Sequence, residues 1–214
     1  MRYLSIPAIV AIFAFAFVAC KSSKTPATFC DTACLQDTIR FTGEHPLKPY
    51  VYIAPGDCGP VSIIRGHEAL GAILKTDFSF SSVRLNPAFV RCVFNDTAYA
   101  YLLFNDCLTG RGYQVKLPFN QTGTISQRSS GINNIDPKFA VADNMIAFTD
   151  RGNIFVEEIR SGKKAMMTFG KGLDIDYDAL HEYIDSVHVT SERIWVKVKI
   201  DDKWTELEQK ITLE

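Results

Sequence analysis

The stretch VADNMIAFTDRGNIFVEEIRSGKKAMMTFG, residues 141–170, shows most clearly how this chain folds. It contains three short runs of mainly apolar residues, separated by turn signals at Gly152 and at Ser161-Gly162. Short runs of β-branched and aromatic residues that end at such signals are typical of β-strands. Gly162 can adopt the positive φ that a tight hairpin turn needs. The stretch therefore predicts three consecutive antiparallel strands.

The same pattern recurs along the chain. In residues 194–200 and 207–213, aliphatic residues alternate with polar or charged residues, and Asp201-Asp202-Lys203 connects the two runs. This alternation predicts a hairpin with one solvated face. Further strands are predicted at residues 50–53, 61–64, 89–94 and 98–104. The last of these runs is apolar at every position, which favours a strand that is buried on both faces.

The strand-like runs have a common spacing. Four of them begin at Tyr50, Ala98, Ile146 and Ile194, each 48 residues after the one before. Repeats of this length are typical of β-propeller blades, and residues 141–170 resemble one such blade. An antiparallel meander folded into a sandwich or barrel satisfies the same pattern. The sequence therefore predicts a mainly β fold with antiparallel units of about 48 residues, propeller-like or a sandwich or barrel.

Two short helices are also predicted within this β fold. Residues 66–75 have apolar residues at helical spacing, and residues 179–184 follow Asp178, which can cap a helix.

Composition limits the class of protein. Hydrophobic residues make up 47% of the 214 residues and charged residues 22%, which is typical of a globular chain. The formal net charge is -1, and no run of basic residues is longer than the pair Lys163-Lys164. A nucleic-acid partner is therefore not expected.

The first twenty residues indicate export from the cytoplasm. Arg2 precedes an apolar run at residues 4–19, which ends on small residues before Cys20. This is the layout of a secretory signal peptide. The alternative is an uncleaved transmembrane helix, since the run is only slightly shorter than the roughly 20 residues a bilayer requires.

The ending Phe17-Val18-Ala19-Cys20 resembles the lipobox of bacterial lipoproteins. That resemblance implies that Cys20 becomes the lipidated first residue, carrying palmitate-like acyl chains that hold the protein on a membrane. No Asp follows Cys20, so the resemblance favours the outer membrane of a Gram-negative bacterium. The expected organisation is a signal peptide at 1–19, a lipid-attached tether at 20–40 and one β-rich domain at 41–214.

Cysteine content fits an exported protein. If Cys20 carries lipid, five of the six cysteines remain as disulfide candidates: Cys30, Cys34, Cys58, Cys92 and Cys107. Disulfides are expected in an oxidising compartment, and five is odd, so at least one thiol stays free or pairs between chains. The pairing stays open, although a bridge from Cys30 or Cys34 to Cys58 or Cys107 would attach the tether to the domain.

The densest group of potential metal ligands is Asp174, Asp176 and Asp178, whose carboxylates could bind a hard cation such as Ca²⁺. The segment departs from a calcium loop, because Ala179 occupies the position of the required glycine and Asp185 that of the bidentate Glu. We therefore expect no metal and no cofactor.

The sequence contains none of the common catalytic motifs. No GxSxG pattern marks a nucleophilic serine, and His181 lacks the spacing of an HExxH zinc site. Ser129-Ser130-Gly131 falls in a polar stretch at 120–134 that reads as a solvated loop. No catalytic residue is assigned.

Four short segments resemble the Asp-Ser/Thr signal for O-glycosylation of exported proteins in some Gram-negative bacteria, with candidate sites at Thr32, Thr38, Thr97 and Ser186. The alternative is ordinary turn and cap chemistry of Asp-Thr and Asp-Ser pairs.

Among the aromatic residues, most are expected in the core, and Trp204 is the one we expect to be exposed. It follows the predicted turn of the last hairpin and is therefore a candidate binding residue.

These features predict a lipid-anchored cell-envelope protein that binds or assembles with an unknown envelope protein or glycan and is not an enzyme. The alternative is an envelope hydrolase acting on carbohydrate or peptidoglycan, with Asp174, Asp176 and Glu182 as its carboxylate cluster.

Overall fold

A computed structural model describes residues 35–80, 82–169 and 177–214, with side chains placed for all of these except 177–179. The described part is mainly β, as the sequence predicts. Its strands are β1 (Ile39–Thr42), β2 (Tyr50–Pro55), β3 (Pro60–Gly66), β4 (Leu74–Asp77), β5 (Val90–Asn95), β6 (Tyr99–Asn105), β7 (Gly112–Pro118), β8 (Ser126–Ile132), β9 (Phe139–Val141), β10 (Met145–Asp150), β11 (Asn153–Glu158), β12 (Lys164–Thr168), β13 (Ile184–Val189), β14 (Arg193–Ile200) and β15 (Lys203–Lys210). Short 3-10 helices span Glu68–Leu70, Pro87–Phe89 and Tyr177–Tyr183.

The described strands form three sheets. The first contains β1 to β4 in sequence order, and the second has seven strands in the order β12-β11-β10-β8-β7-β6-β5. The third has the order β15-β14-β13-β9. All neighbouring strands are antiparallel except β9 and β13, which run parallel. The carboxyl end of the chain is tied to the second sheet, because Lys164 and Glu214 exchange two backbone hydrogen bonds.

The 48-residue spacing corresponds to a structural repeat. Strands β2, β6, β10 and β14 begin at Tyr50, Tyr99, Met145 and Arg193, within one residue of the predicted positions, and each pairs with the strand that follows. The second and third units are joined, however, because β8 pairs with β10 through Ile132 and Ala147. Among the described strands this produces one seven-stranded sheet, and neither a closed barrel nor a propeller is found there.

Strand β6 lies at the centre of the packing and is buried on both faces, which confirms the prediction for residues 98–104. Leu102 and Phe104 contact a core shared with the first sheet, which contributes Val51 and Ile53. On the opposite face, Tyr101 belongs to a smaller core formed within the seven-stranded sheet. Each large apolar side chain removed from water in this way contributes roughly 1.5–3 kcal/mol.

A third core connects the end of the seven-stranded sheet to the third sheet. It includes Ala147 and Ile154 from the former and Ile194, Val196 and Val198 from the latter. The aliphatic residues predicted to alternate in the last hairpin therefore do face inward. The hairpin turn is shorter than predicted, because only Asp201 and Asp202 have positive φ and β15 already begins at Lys203.

Two local predictions are wrong. Residues 66–75 do not form a continuous helix: the helical turn Glu68–Leu70 ends at Gly71, whose φ is 68°, and β4 then pairs with β3. The stretch 120–134 is not simply a solvated loop, because residues 126–132 form β8 between β7 and β10.

Leu35 is buried and β1 begins at Ile39, so both lie in the segment predicted as the tether.

Candidate binding pocket

A pocket of about 230 Å³ lies on the inner face of the seven-stranded sheet, between β5 to β7 on one side and β10 with the segment that follows β8 on the other. We call it the β5–β10 pocket. It is lined by Arg91, Val93, Leu103, Gln114, Ile132, Asn133, Asn134, Val141, Ala142, Asp143, Met145 and Ile146. Because residues from β5 and β10 face each other here, the pairing of β8 with β10 is what creates the pocket.

The wall of the pocket is mostly aliphatic. Leu103, Ile132, Met145 and Ile146 are all buried, and Val93 is partly buried. These side chains come from four strands, β5, β6, β8 and β10. An apolar wall with a few polar groups is typical of ligand pockets in proteins.

The most buried polar residue among those that line the pocket is Gln114, which is 1% exposed. Its Nε2 donates to the Asn133 Oδ1 at 3.0 Å and to the Ala147 carbonyl at 2.7 Å. The Asn133 Nδ2 in turn donates to the Asn105 Oδ1 and to the backbone carbonyls of Phe104 and Tyr113, each at 3.1 Å. This network connects β6, β7 and β10.

The carbonyl partners fix the orientation of the Gln114 amide. A backbone carbonyl can only accept a hydrogen bond, so the NH₂ group must face Ala147 and the Oε1 must face the other way. The Oε1 is buried and has no hydrogen-bond partner among the described residues. Native proteins rarely leave a buried acceptor unpaired, and an unpaired one calls for a specific explanation.

Gly131 provides the space in which this amide lies. A Cβ at this position would be 2.7 Å from the Gln114 Cγ and 3.1 Å from the Asn133 Oδ1. On the neighbouring strand, a Cβ at Gly112 would be only 2.1 Å from the Gly131 carbonyl oxygen. The two glycines therefore allow β7 and β8 to approach each other with the amide network between them.

Charged and polar residues surround the mouth of the pocket. Arg91 and Asp143 are exposed, and the Arg91 Nη1 donates to the Asn134 Oδ1 at 3.2 Å. Neither Arg91 nor Asp143 forms an ion pair with any described residue. The rim therefore presents one charge of each sign to solvent.

A buried ionic cluster lies on the same sheet face. Glu157 is 1% exposed, and its Oε1 accepts from the Tyr101 hydroxyl at 2.7 Å and from the Lys116 Nζ at 3.1 Å. The Lys164 Nζ lies 3.6 Å from the other carboxylate oxygen. Burial alone would raise the pKa of Glu157, but these donors outweigh it and hold the pKa below its usual range.

This cluster holds together the two halves of the seven-stranded sheet. Tyr101 and Lys116 belong to β6 and β7, whereas Glu157 belongs to β11, on the other side of β8 and β10. The Tyr99 hydroxyl also donates to the Ile159 carbonyl. Because these contacts join strands that are not neighbours in the sheet, the sheet must curve towards this face.

A second cavity, of about 340 Å³, lies between the β1–β2 connection and β5, with Glu44, His45 and Arg160 among its lining residues. It is more open, and none of its lining residues has a buried polar atom without a partner. The β5–β10 pocket is therefore the better candidate for a ligand site.

The predicted binding residue Trp204 is 51% exposed, as expected. It stands opposite Lys199 in the last hairpin, on the solvated face of the third sheet, and it does not line the β5–β10 pocket. The prediction that the core takes most other aromatic residues is confirmed for Tyr101, Phe104 and Phe119, which are all buried.

Three predicted glycosylation sites lie in the described part of the chain. Thr38 is half-buried just before β1, and Thr97 is half-buried in the β5–β6 turn, where Asp96 has positive φ. Ser186 is half-buried at a bulge in β13, and its hydroxyl contacts Asp185. The turn at Thr97 is consistent with the alternative of ordinary turn chemistry. Thr32 lies outside the described residues.

The described cysteines differ in state. Cys58 and Cys107 are each disulfide-bonded, while Cys92 has a free thiol whose pKa is raised by burial. Cys20, Cys30 and Cys34 lie outside the described residues, so the predicted pairing stays a prediction.

Of the weak calcium candidates, Asp174 and Asp176 lie outside the described residues, and only the backbone of Asp178 is described, within Tyr177–Tyr183. Within the described ranges, no group of three or more His, Cys, Asp or Glu side chains is placed to hold a metal ion. Glu182, the third carboxylate of the hydrolase alternative, has a side chain that is 68% exposed. Its Oε1 lies 3.7 Å from the His181 Nε2.

Comparisons with protein-family models, curated proteins and solved structures return no match. No helix in the described part of the chain is long and apolar enough to cross a membrane.

Proposed function

We propose that this protein is a lipid-anchored module of the cell envelope that binds a partner protein and performs no chemistry on it. The anchor is lipid on Cys20, proposed from the lipobox-like ending of the signal sequence. The partner inserts one side chain into the β5–β10 pocket. The observation that carries the proposal is the pocket itself, in which buried aliphatic side chains lie beside a rim that contains exposed Arg91 and Asp143.

The size of the pocket supports a single inserted side chain. Pockets for whole drug-sized ligands measure about 300–1,000 Å³. The β5–β10 pocket, at about 230 Å³, is smaller than these. An anchoring side chain in a fitted pocket is also how protein interfaces concentrate their binding energy.

The surroundings of the pocket resemble a protein interface. An apolar centre surrounded by a polar rim is the usual arrangement, and Arg91, Asn134 and Asp143 form such a rim. The unpaired charges of Arg91 and Asp143 are available to groups on a partner. A glycan is less well matched, because no aromatic residue lines the pocket to support the apolar face of a sugar ring.

Site-specific photo-cross-linking in the native host tests the proposal. A photoreactive amino acid replaces Asp143 on the rim, and in a matched control it replaces Asp150, an exposed aspartate at the far end of β10. We expect one stoichiometric protein adduct from position 143 and none from position 150. Equal labelling at both positions, or no protein adduct from position 143, would contradict a partner at this pocket.

The anchor is tested separately by mass spectrometry of the N-terminal peptide from the same membranes. The proposal requires an acyl-modified Cys20 at the start of the mature chain. An unmodified peptide that continues from Ala19 through Cys20 would exclude lipid attachment.

A further inference from the structure

We infer that the partner binds as an extended strand along the free edge of β5, and that one of its side chains enters the β5–β10 pocket from this edge. The inference rests on the proposed function and adds the conformation in which the partner binds. It follows from the place of β5 in its sheet and from the two cavities that lie beside it.

Strand β5 (Val90–Asn95) is an edge strand. Among the described strands it pairs only with β6. In an antiparallel pair, every second residue directs its backbone N–H and C=O groups away from the partner strand. Apart from the hairpin turn at Asn95, no backbone group of a described residue bonds to β5 outside this pair. The free edge therefore presents alternating donors and acceptors, which the backbone of another strand can satisfy.

The second cavity lies along this free edge. Cys92, Val93 and Phe94 all line it. Successive side chains of a strand point to opposite faces of the sheet, so a cavity that meets three residues in a row lies along the edge of the strand and not over one face. Its other lining residues include 42–45, from the end of β1 and the connection that follows. A space of about 340 Å³ therefore lies beside the backbone of β5.

The edge of β5 lacks the usual protection against pairing. Proteins protect long edge strands with charged residues or cover them with other parts of the chain. In the sequence VRCVFN of β5, Arg91 is the only charged residue. At the opposite edge of the same sheet, β12 exchanges backbone hydrogen bonds with Glu214. The edge strand β15 has four charged residues, Lys203, Glu206, Glu208 and Lys210.

The edge of β5 is continuous with the β5–β10 pocket. Arg91 and Val93 line that pocket whereas Cys92 does not, so the pocket lies on one face of β5. Val93 also lines the second cavity. A residue of an added strand that pairs with Arg91 or Val93 has its Cβ about 4.5–5.5 Å away on the same face. Its side chain is therefore directed towards the pocket, while the backbone of the added strand lies in the second cavity.

The free backbone groups select a strand over other partners. A helix forms its backbone hydrogen bonds within itself, and a glycan has no N–H and C=O groups that alternate at the spacing of a strand. Either of these would leave the edge of β5 unpaired. In strand addition, main-chain hydrogen bonds provide affinity and pockets for alternate side chains provide specificity. The edge of β5 and the β5–β10 pocket supply these two parts.

Backbone hydrogen exchange tests the inference. The complex captured by cross-linking from position 143 is compared with the free protein by mass spectrometry, with fragmentation that resolves single residues. We expect every second amide of β5 to exchange about tenfold or more slowly in the complex. The amides of β15, which lines neither cavity, should be unchanged. Unchanged exchange at β5, or a free protein in which all β5 amides are already protected, would overturn the inference.

Two variants test whether the space beside β5 is needed. Thr42→Trp fills the second cavity, and Arg40→Trp changes an exposed residue of the same strand that lines neither cavity. Both positions are exposed, so both variants should keep the Tm of the parent protein. Capture of the partner from position 143 should be lost with Thr42→Trp and retained with Arg40→Trp. Capture that survives Thr42→Trp would contradict a strand in this space.

A second cross-linking position separates this inference from the proposed function. A photoreactive amino acid replaces Glu44, which is exposed and lines the second cavity. We expect adducts from positions 44 and 143 with the same protein, within one stretch of about ten residues, the length of a strand. Capture from position 143 alone, or adducts in separate parts of the partner, would leave the proposed function standing and refute the strand. Capture from position 44 alone, or from neither position, would contradict both.

Discussion

The carboxylate of Glu157 should be one of the most important single groups for the stability of the domain. Glu157→Gln keeps the size of the side chain and removes its charge, which leaves Lys116 beside a neutral amide. Breaking a buried ion pair by removing one partner costs about 3–5 kcal/mol. We expect a value near the lower limit, about 3 kcal/mol, because 28% of the Lys116 side chain is exposed and Lys164 lies mostly in solvent.

The loss is measured by urea unfolding, followed through the fluorescence of the two tryptophans. For a domain of this size, about 3 kcal/mol corresponds to a decrease in Tm of roughly 6–12 °C. Glu206→Gln, an exposed carboxylate in β15, is the matched control and should change the free energy of unfolding by less than about 0.5 kcal/mol.

A double variant separates the ion pair from other effects of the substitution. Glu157→Gln combined with Lys116→Met removes both buried charges and should recover much of the lost stability, since the remaining charge, on Lys164, lies mostly in solvent. If Glu157→Gln costs no more than the Glu206→Gln control, the cluster does not hold the halves of the sheet together.

Three further predictions follow from the same structure. Hydrogen-bond donors lower the pKa values of Glu157 and Asp106 in the folded state. The stability that these carboxylates provide should therefore be present above the ordinary carboxylate pKa and be lost as pH falls through the folded pKa values. Tm measured against pH tests this, and a Tm that stays unchanged through the acidic range would contradict it. Gly112→Ala should lower the free energy of unfolding by about 3 kcal/mol or prevent folding, because the new Cβ would meet a backbone carbonyl. In the control Gly59→Ala the new Cβ has no atom within 4 Å, so Tm should stay almost unchanged. Cys92 is half-buried and burial raises the pKa of its thiol, so it should react with a thiol reagent much more slowly in the native protein than after denaturation. Equally rapid labelling of the native and the denatured protein would contradict this.

Much of the strand pattern could be predicted from sequence because it depends on local features. The apolar run at 98–104 indicates a strand buried on both faces, and β6 is such a strand. Turn residues likewise predicted the hairpins. Gly162, for example, has a φ of 71°, as the tight turn between β11 and β12 requires. The regular spacing of the strands also corresponds to the observed repeat.

Strand β8 could not be predicted, because its residues do not carry a strand pattern. The sequence SQRSSGI of residues 126–132 has one aliphatic residue and no alternation of apolar and polar positions. It becomes a strand through its neighbours, where Gly112 and Gly131 allow close approach of the backbones. Tertiary pairing of this kind overrides local propensity.

The β5–β10 pocket could not be predicted from sequence either, because it also depends on tertiary strand pairing. Arg91, Gln114 and Asp143 come from separate parts of the chain, and only the pairing of β8 with β10 brings them to one site. A possible signal was Gln114 itself, a polar residue within the strand that follows the fully buried β6. The Gln114 amide is buried because its hydrogen bonds connect it to Asn133 and to the backbone of β10.

The most direct test is a structure of the protein bound to the partner that cross-linking from position 143 captures. We expect one side chain of that partner to lie in the β5–β10 pocket, with the neighbouring partner residues close to Arg91 and Asp143. A partner that binds elsewhere on the protein and leaves the pocket without any of its side chains would contradict the proposal.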